Sequence, residues 1–282
     1  IDGVKIMRGD KEVTCFYSIT ATGAKFMVSP RKVTLTSADD EKVYDGTALT
    51  NDKVTVSGDG FADGEGATYD VTGTITEVGE TANAFTYTLN EGTKADNYTI
   101  TKVEGTLTVT ELTDKVTVTI TEKSGSEKYD GKEKTVAGYD VKISNELYTV
   151  DDFTFSGEAT VKGTDAGSYN MELKPADFTN TNKNFKNVEF VIVDGTLEIS
   201  KRTVTLTSAT DTKVYDGTAL TNANVAVGGD GFVAGEATAT AIGSQTEVGS
   251  SKNAIEVVGG ANFKEDNYDI TKKEGTLTVT SR

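Results

Sequence analysis

The 282-residue sequence contains no histidine, no tryptophan and a single cysteine, Cys15. Without histidine, neither a Ser-His-Asp triad nor a Cys-His pair can form, and a metal ion finds no imidazole ligand. No glycine-rich phosphate loop follows a strand to open a helix. Two carboxylates can hydrolyse a glycoside, but 44 acidic residues place some of them close together by chance. We therefore predict that the protein is not an enzyme and binds no cofactor or metal.

Positive charge is also scarce, since 28 Lys and Arg residues stand against 44 Asp and Glu, for a net charge of -16. Few cations are available to neutralise phosphates, which argues against a nucleic-acid partner. The same imbalance opposes binding to an anionic membrane, and no apolar run reaches transmembrane length. A self-repelling surface favours a soluble monomer.

The most informative feature is an internal repeat. Residues 33–65 and 204–236 are identical at 25 of 33 positions, and 96–110 closely matches 266–280. A diverged copy lies between them at an even spacing of 85 to 86 residues, too long for a short-period solenoid. The sequence predicts an N-terminal segment 1–30 and three repeats: a first repeat at 31–112, a second at 113–201 and a third at 202–282.

Two further expectations concern how these parts connect. Aligning 17–20 on 98–101 places Phe26 on Leu107 and Val28 on Val109, so segment 1–30 is interpreted as the end of a preceding repeat or a divergent lead-in domain. The chain begins with isoleucine and stops two residues after the last repeat, as expected of a piece of a longer protein. Very few residues separate one predicted repeat from the next, and linkers this short predict an elongated, semi-rigid rod.

The residue pattern of each repeat predicts β-strands. Apolar residues alternate with threonine at 33–36, 107–110 and 116–120, which places one kind on each face of a sheet. No stretch keeps a helical period for three turns, and Asp-Gly turns are frequent. We predict an all-β protein built from three immunoglobulin-like β-sandwich modules, with β-grasp-like modules as the alternative.

Two motifs are candidate structural sites. A Tyr-Asp-Gly motif occurs once in each repeat, and its recurrence favours an anchor tyrosine under a tight hairpin over a ligand contact. The second repeat also carries a D-x-G-x-Y pattern, which is typical of a tyrosine corner whose hydroxyl bonds back to the backbone. The residues of these motifs are Tyr44, Asp45, Gly46, Tyr129, Asp130, Gly131, Tyr215, Asp216, Gly217, Asp165, Gly167 and Tyr169.

Two chemical possibilities are weaker. The carboxylates of Asp59, Asp63 and Glu65 could suggest a calcium loop, but Ala234 replaces Asp63 in the third repeat, and plain acidic turns are the better interpretation. A Lys–Asn isopeptide bond is a second hypothesis. Its candidate residues are Lys42, Lys213, Asn83, Asn253, Asn97 and Asn267.

The segments K-V-Y-D-G-T-A-L-T, G-x-G-F-x-x-G-E and N-Y-x-I-T-x-x-x-G-T-L-T-V-T resemble the MBG/YDG-type repeats of large, Gram-positive-like bacterial surface proteins and adhesins. The resemblance covers nearly all of residues 31–282 and is strongest in the first and third repeats. It implies an extracellular, cell-envelope-attached location and a role in adhesion or in spacing an adhesive region from the wall. It supplies no ligand residues.

Two functions remain open at this point. The repeats are either structural stalk modules or weak binders of host or dietary glycans, mucin or extracellular matrix that gain affinity through multivalency. A binding surface would need exposed aromatics common to all repeats. Phe61 and Phe232 match each other, whereas the second repeat offers only Phe153 or Phe155, and core packing is the preferred interpretation. The stalk is the preferred function.

Overall fold

The computed structural model describes residues 4–16, 18, 20 and 22–282. Within these residues the chain consists of short β-strands with a few single-turn 3₁₀ helices and contains no α-helix. The predicted all-β class is therefore confirmed. A β-grasp unit wraps its sheet around a helix, so the described residues lack the element that the alternative fold requires.

The segment before the first repeat contains little regular structure. Strand β1 (Met7–Arg8) pairs antiparallel with β2 (Lys11–Glu12), and the 3₁₀ helix η1 spans Thr14–Phe16. Residues 22–30 form no strand, and both Phe26 and Val28 are almost fully exposed. The closing strand expected at these two positions is therefore absent. Tyr17 and Ile19, on which the alignment also rested, lie outside the described residues.

The first repeat contains eight strands and one 3₁₀ helix among its described residues. They are β3 (Arg31–Ser37), β4 (Asp40–Val43), β5 (Val54–Gly58), β6 (Ala67–Val71), β7 (Gly79–Asn83), β8 (Phe85–Leu89), η2 (Ala95–Asn97), β9 (Tyr98–Val103) and β10 (Gly105–Thr110). Strand β3 lies between β5, antiparallel, and β9, parallel. Strand β10 likewise lies between β4, parallel, and β7, antiparallel. Strands β6 and β8 form a separate antiparallel pair.

The alternation in the sequence decides which face of the central strands is buried. Val33 and Leu35 on β3 are buried, and the alternating residues Thr34 and Thr36 are only partly buried. Together with Phe85 and Tyr98 they form one core cluster. β-branched and aromatic residues suit this position because their side chains pack well on a pleated surface.

The third repeat reproduces the first strand for strand. Its elements are β21 (Arg202–Ser208), β22 (Asp211–Val214), β23 (Val225–Gly229), β24 (Ala237–Ala241), β25 (Gly249–Asn253), β26 (Ile255–Gly259), η5 (Glu265–Asn267), β27 (Tyr268–Lys273) and β28 (Gly275–Thr280). The sheets have the orders β23-β21-β27 and β22-β28-β25, and β24 pairs with β26.

The second repeat keeps the two three-stranded sheets, with orders β14-β11-β19 and β12-β20-β17. It differs in having two short antiparallel pairs, β13 with β16 and β15 with β18, where each of the other repeats has one. The elements are β11 (Val116–Glu122), β12 (Gly125–Lys128), β13 (Lys134–Ala137), β14 (Tyr139–Ile143), η3 (Val150–Asp152), β15 (Phe153–Phe155), β16 (Thr160–Gly163), β17 (Gly167–Asn170), η4 (Pro175–Asp177), β18 (Phe178–Asn180), β19 (Val188–Val193) and β20 (Thr196–Ser200).

A tight crossing point explains one glycine in each repeat. Gly105 is the first residue of β10, just after the chain leaves β9 for the other sheet, and it lies against the end of β3. A Cβ atom at Gly105 would lie 2.5 Å from the carbonyl oxygen of Ser37. Gly195 and Gly275 meet the chain as closely in the other two repeats. Glycine is required here because two backbones approach within contact distance.

Buried polar groups stabilise this crossing in two different ways. In the first repeat the Ser37 hydroxyl donates to the Asn83 carbonyl oxygen (2.6 Å) and accepts from the Gly105 amide (2.9 Å). In the second repeat Glu122 replaces Ser37. Its buried carboxylate accepts from the amides of Gly195 and Leu173, each at 2.7 Å. A polar group at this depth is retained because it is fully hydrogen-bonded.

The parallel pairs set these sheets apart from the immunoglobulin sandwich, in which both sheets are antiparallel. Each repeat brings its first strand beside its penultimate strand in parallel, as in β3 with β9. The chain divides into two compact units, Ile1–Thr110 and Glu111–Arg282. The second and third repeats thus belong to one unit, and the boundaries at 30/31, 112/113 and 201/202 stay predictions.

Candidate functional site

The Tyr-Asp-Gly motif follows the strand that pairs in parallel with the last strand of its repeat. In the first repeat the Asp45 carboxylate accepts from the Thr47 amide (2.9 Å) and from the Lys42 ammonium (2.7 Å). These bonds, that of Lys42 foremost, hold the pKa of Asp45 well below its usual range. Gly46 has a φ of 76°, which glycine adopts without strain.

The other two motifs are built alike. Asp216 accepts from the Lys213 ammonium (2.8 Å) and the Thr218 amide (2.9 Å), while Asp130 accepts from Lys134 (2.8 Å) and the Lys132 amide (3.0 Å). Gly131 and Gly217 also have positive φ. The motif tyrosine of the first repeat, Tyr44, is buried. The turn does not close a hairpin, contrary to expectation. The strands on either side of it, β4 and β5 in the first repeat, pair with β10 and β3 instead.

Tyr129 of the second repeat contacts the third repeat. Its hydroxyl donates to one carboxylate oxygen of Glu236 at 2.8 Å, and the Tyr268 hydroxyl donates to the other at 2.6 Å. The two rings meet edge to face, with centroids 5.7 Å apart. All three residues are buried, at 3 to 6% exposed. The Glu236 carboxylate therefore accepts from one tyrosine of the second repeat and one of the third.

Both tyrosines are neutral donors over the physiological pH range. Burial, and second the hydrogen bond to Glu236, raise the pKa of Tyr129 and of Tyr268 to about 12. Because the folded pKa lies above the ordinary value of 10, the protonated hydroxyls stabilise the contact below about pH 10. That contribution is lost as the pH rises through about 12.

An ion pair and an arginine flank this contact. The Lys128 ammonium lies 2.7 Å from the Asp230 carboxylate, which also accepts from the Thr203 amide. The pKa of Asp230 is lowered mainly by Lys128. The Arg202 guanidinium donates to the carbonyl oxygens of Gly231 (2.9 Å) and Tyr129 (3.4 Å). The second repeat thus contacts the start of the third through both side chains and backbone.

The predicted tyrosine corner forms a second group of contacts with the third repeat. The Tyr169 hydroxyl donates to the Asp165 carbonyl oxygen (2.9 Å), and Gly167 has a φ of 156°. The Asp165 carboxylate accepts from Lys264 (2.6 Å) and from the Asn267 amide (3.0 Å). These donors, Lys264 first, lower the pKa of Asp165.

Asn267 completes the contact by accepting as well as donating. Its side-chain oxygen accepts from the Ala166 amide at 2.7 Å, and the residue is 1% exposed. We call the whole arrangement the junction. Its second-repeat members are Lys128, Tyr129, Asp165 and Ala166, and its third-repeat members, the third-repeat socket, are Arg202, Asp230, Glu236, Asn267 and Tyr268.

Of the junction residues, the motif analysis found Tyr129 and Asp165, and Asn267 was considered only for an isopeptide bond. The other socket residues were not singled out, because each lies in an ordinary turn or at a strand end. A signal does exist: Glu236 and the Asp-Asn-Tyr triplet at 266–268 recur as Glu65 and 96–98 in the first repeat. Asp-Asn is not needed to form a strand, so its recurrence is the feature of the sequence that could have drawn notice to Asn267.

The acidic turns have partners within the protein. Asp59 accepts from the Lys32 amide (2.8 Å), and Glu65 accepts from the Tyr98 hydroxyl. Across the described residues, no group of three or more His, Cys, Asp or Glu is placed to hold a metal ion.

Five of the six candidate isopeptide residues make other side-chain contacts, and the sixth, Asn97, is exposed. The Asn83 side-chain amide donates to the carbonyl oxygens of Ala38 and Asn51, both at 2.9 Å, and its Oδ1 is buried without a hydrogen bond. Lys42 is held by Asp45 and Thr47. Asn253 and Lys213 repeat these contacts in the third repeat, and Asn267 belongs to the junction.

The aromatics considered as a binding surface make internal contacts. Phe61 lies 5.1 Å from the Tyr98 ring, and Phe232 lies 5.2 Å from the Tyr268 ring. Both phenylalanines are partly buried. In the second repeat Phe153 is buried and Phe155 stacks on Phe178 at 4.8 Å.

Residues 116–201 match the MBG domain family, which confirms the resemblance over the second repeat. The match lies on the most diverged repeat. An MBG domain indicates a repeat of a surface protein. The comparison with curated proteins gave no match. In the part of the chain that the structure describes, no helix has the length and apolar character needed to cross a membrane.

Proposed function

We propose that these repeats are non-catalytic stalk modules of an extracellular, envelope-attached bacterial surface protein, which space an adhesive region from the cell. The junction carries this proposal. The sequence motifs with the most chemical character, around Tyr129 and Asp165, are used to fasten one repeat to the next. A ligand site would leave such groups facing solvent.

The contacts suit a load-bearing connection. A buried carboxylate with two tyrosine donors has a defined geometry, and losing either donor leaves charge buried and underpaired. Ion pairs at Lys128 and Lys264 flank it on two sides. With Lys201 as the only residue between β20 and β21, the repeats cannot separate far.

The remaining expectations enter as parts of this proposal. The protein works as a monomer without cofactor or metal, it does not bind nucleic acid, and its strongly acidic surface keeps it soluble. The modules are three in number, with one sandwich-like core in each repeat, arranged as a rod.

Immobilising the full chain at high density and presenting purified mucin and a broad glycan array tests the proposal. A stalk should show no saturable binding. Saturable binding that weakens in Tyr129→Ala, which loosens the junction, would instead support the alternative of a multivalent adhesin. Tyr215→Ala serves as the matched control, because that tyrosine lies at the corresponding position outside the junction.

A further inference from the structure

We propose that the third repeat binds a small, uncharged phenolic compound in a cavity lined by β26 and β27. This inference goes beyond the proposed stalk function and does not depend on it. The cavity measures about 660 Å³, within the range of about 300–1,000 Å³ that is typical of small-molecule sites. Its apolar lining residues are Ile242, Ile255, Val257, Phe263 and Ile270.

The first repeat shows what fits in this place, because it fills the matching positions with aromatic rings. Tyr69 on β6 and Phe85 on β8 pack into the core and meet edge to face, with ring centroids 6.4 Å apart. The matching positions of the third repeat hold Ala239 and Ile255. Phe263 does not fill the space that these smaller side chains leave, because its ring stacks on that of Tyr268 and forms one wall.

A lysine beside the cavity points to an aromatic occupant. In the first repeat the Lys102 ammonium donates to the Phe85 carbonyl oxygen at 2.7 Å and lies 5.0 Å from the centroid of the Phe85 ring. Lys272 makes the same backbone contact with Ile255, at 3.1 Å, but the side chain at that position is aliphatic. An ammonium attracts the face of an aromatic ring. A ring bound in the cavity therefore regains an interaction that the first repeat makes internally.

The charges around the cavity favour an uncharged ring. Glu256 and Glu265 line it together with Lys272, and all three residues are exposed. The two carboxylates repel an anionic ring such as benzoate, and the ammonium repels a cationic one. A phenol is neutral at about pH 7, and its hydroxyl can donate to a carboxylate.

The same charges favour a free compound over a side chain of a partner protein. A protein that inserted an aromatic side chain would have to cover the exposed groups of Glu256, Glu265 and Lys272. Burying charged groups is costly unless they are paired. A single ring enters without removing them from water, so the occupant is assigned as a low-molecular-weight phenol.

NMR of the full chain with ¹³C-labelled isoleucine δ1-methyl groups tests the proposal, with p-cresol as the probe. The signals of Ile242, Ile255 and Ile270 should shift and saturate, with a dissociation constant on the order of 1 mM for a ligand of so few atoms. Ile100, which matches Ile270 in the first repeat, should not shift. Shifts that spread over both repeats without saturating would overturn the proposal.

Filling the cavity should abolish binding. Ala239→Tyr combined with Ile255→Phe restores the residues of the first repeat, and the saturable shift at Ile270 should disappear. The matched control is Thr238→Tyr, which places the same ring on the opposite, exposed face of β24 and should leave binding unchanged. Undiminished binding in the double variant would overturn the cavity as the site.

A further variant and two further probes test the chemistry without enlarging any core residue. Lys272→Met removes the ammonium at similar length and should weaken p-cresol binding about two- to fivefold. Benzoate should bind more weakly than p-cresol. Binding that Lys272→Met leaves unchanged, or preference for benzoate, would overturn the proposed ligand class. Binding of N-acetyltyrosinamide more than about tenfold tighter than that of p-cresol would make the occupant a protein side chain and would also overturn it.

Discussion

At the residue scale the junction depends on Glu236. Its two oxygens accept from Tyr129 and Tyr268, and it is 6% exposed. Burying a carboxylate is costly unless hydrogen bonds from the protein replace those from water. Each tyrosine hydroxyl therefore contributes more to stability than an exposed hydroxyl would.

Tyr129→Phe removes one donor and leaves the packing of the ring. Because an oxygen of Glu236 then stays buried without its partner, the free energy of opening at the junction should fall by about 1–3 kcal/mol. Hydrogen exchange read by peptide mass spectrometry checks this on peptides covering 125–131 and 230–237. Tyr215→Phe, at the same place in the third repeat but only partly buried, should change exchange by less than about 0.5 kcal/mol. Equal effects from both variants would contradict the role of Glu236.

The sequence singles out Tyr129 because its motif recurs in every repeat. The predicted role was an anchor under a hairpin of its own repeat, however, and not a contact with the third repeat. Glu236 did not stand out, because its partner is 107 residues away and sequence patterns report local periodicity. An acidic residue in a turn has the same appearance whether or not another repeat covers it.

At the element scale the crossing of the last strands over the first is the feature common to all repeats. The glycine at 105, 195 or 275 allows the backbones to touch, and a buried polar group pairs with its amide. The second repeat uses Glu122 where the others use Ser37 and Ser208. The same structural need is thus met by different chemistry.

Glu122→Gln should destabilise the second repeat by roughly 1.5–3 kcal/mol, because a donor amide group then faces a backbone N–H that needs an acceptor. Hydrogen exchange at the Leu173 and Gly195 amides measures the loss. Glu198→Gln, on the exposed face of β20, is the matched control and should be nearly neutral. If both variants leave exchange unchanged, Glu122 does not hold the crossing.

The strands themselves follow from the sequence, since alternating valine, leucine and threonine made β3, β10 and β11 recognisable. Their pairing does not. Parallel contact between β3 and β9 joins residues 67 apart, and nothing in either strand encodes the direction of its neighbour. For the same reason the Asp-Gly turns predicted hairpins where the structure has strands paired elsewhere.

At the scale of the whole molecule, the repetition of the sequence is related to how one repeat contacts the next. A near-copy can extend a protein only if its surface fits the copy before it, and in the second and third repeats that fit is the junction. Its members come from segments that recur along the chain. This is the physical reason for preferring a stalk to a set of independent binding modules.

Electron paramagnetic resonance across the junction tests this account most directly. After Cys15→Ser, nitroxide labels at the exposed positions Lys142 and Glu256 report the distance between the second and third repeats, and a pair at Glu256 and Asp269 reports on the third repeat alone. The account predicts one narrow distance distribution for the first pair, broadened by Tyr129→Ala while the second pair stays narrow. A broad distribution in the unaltered junction, or one that Tyr129→Ala leaves unchanged, would contradict it.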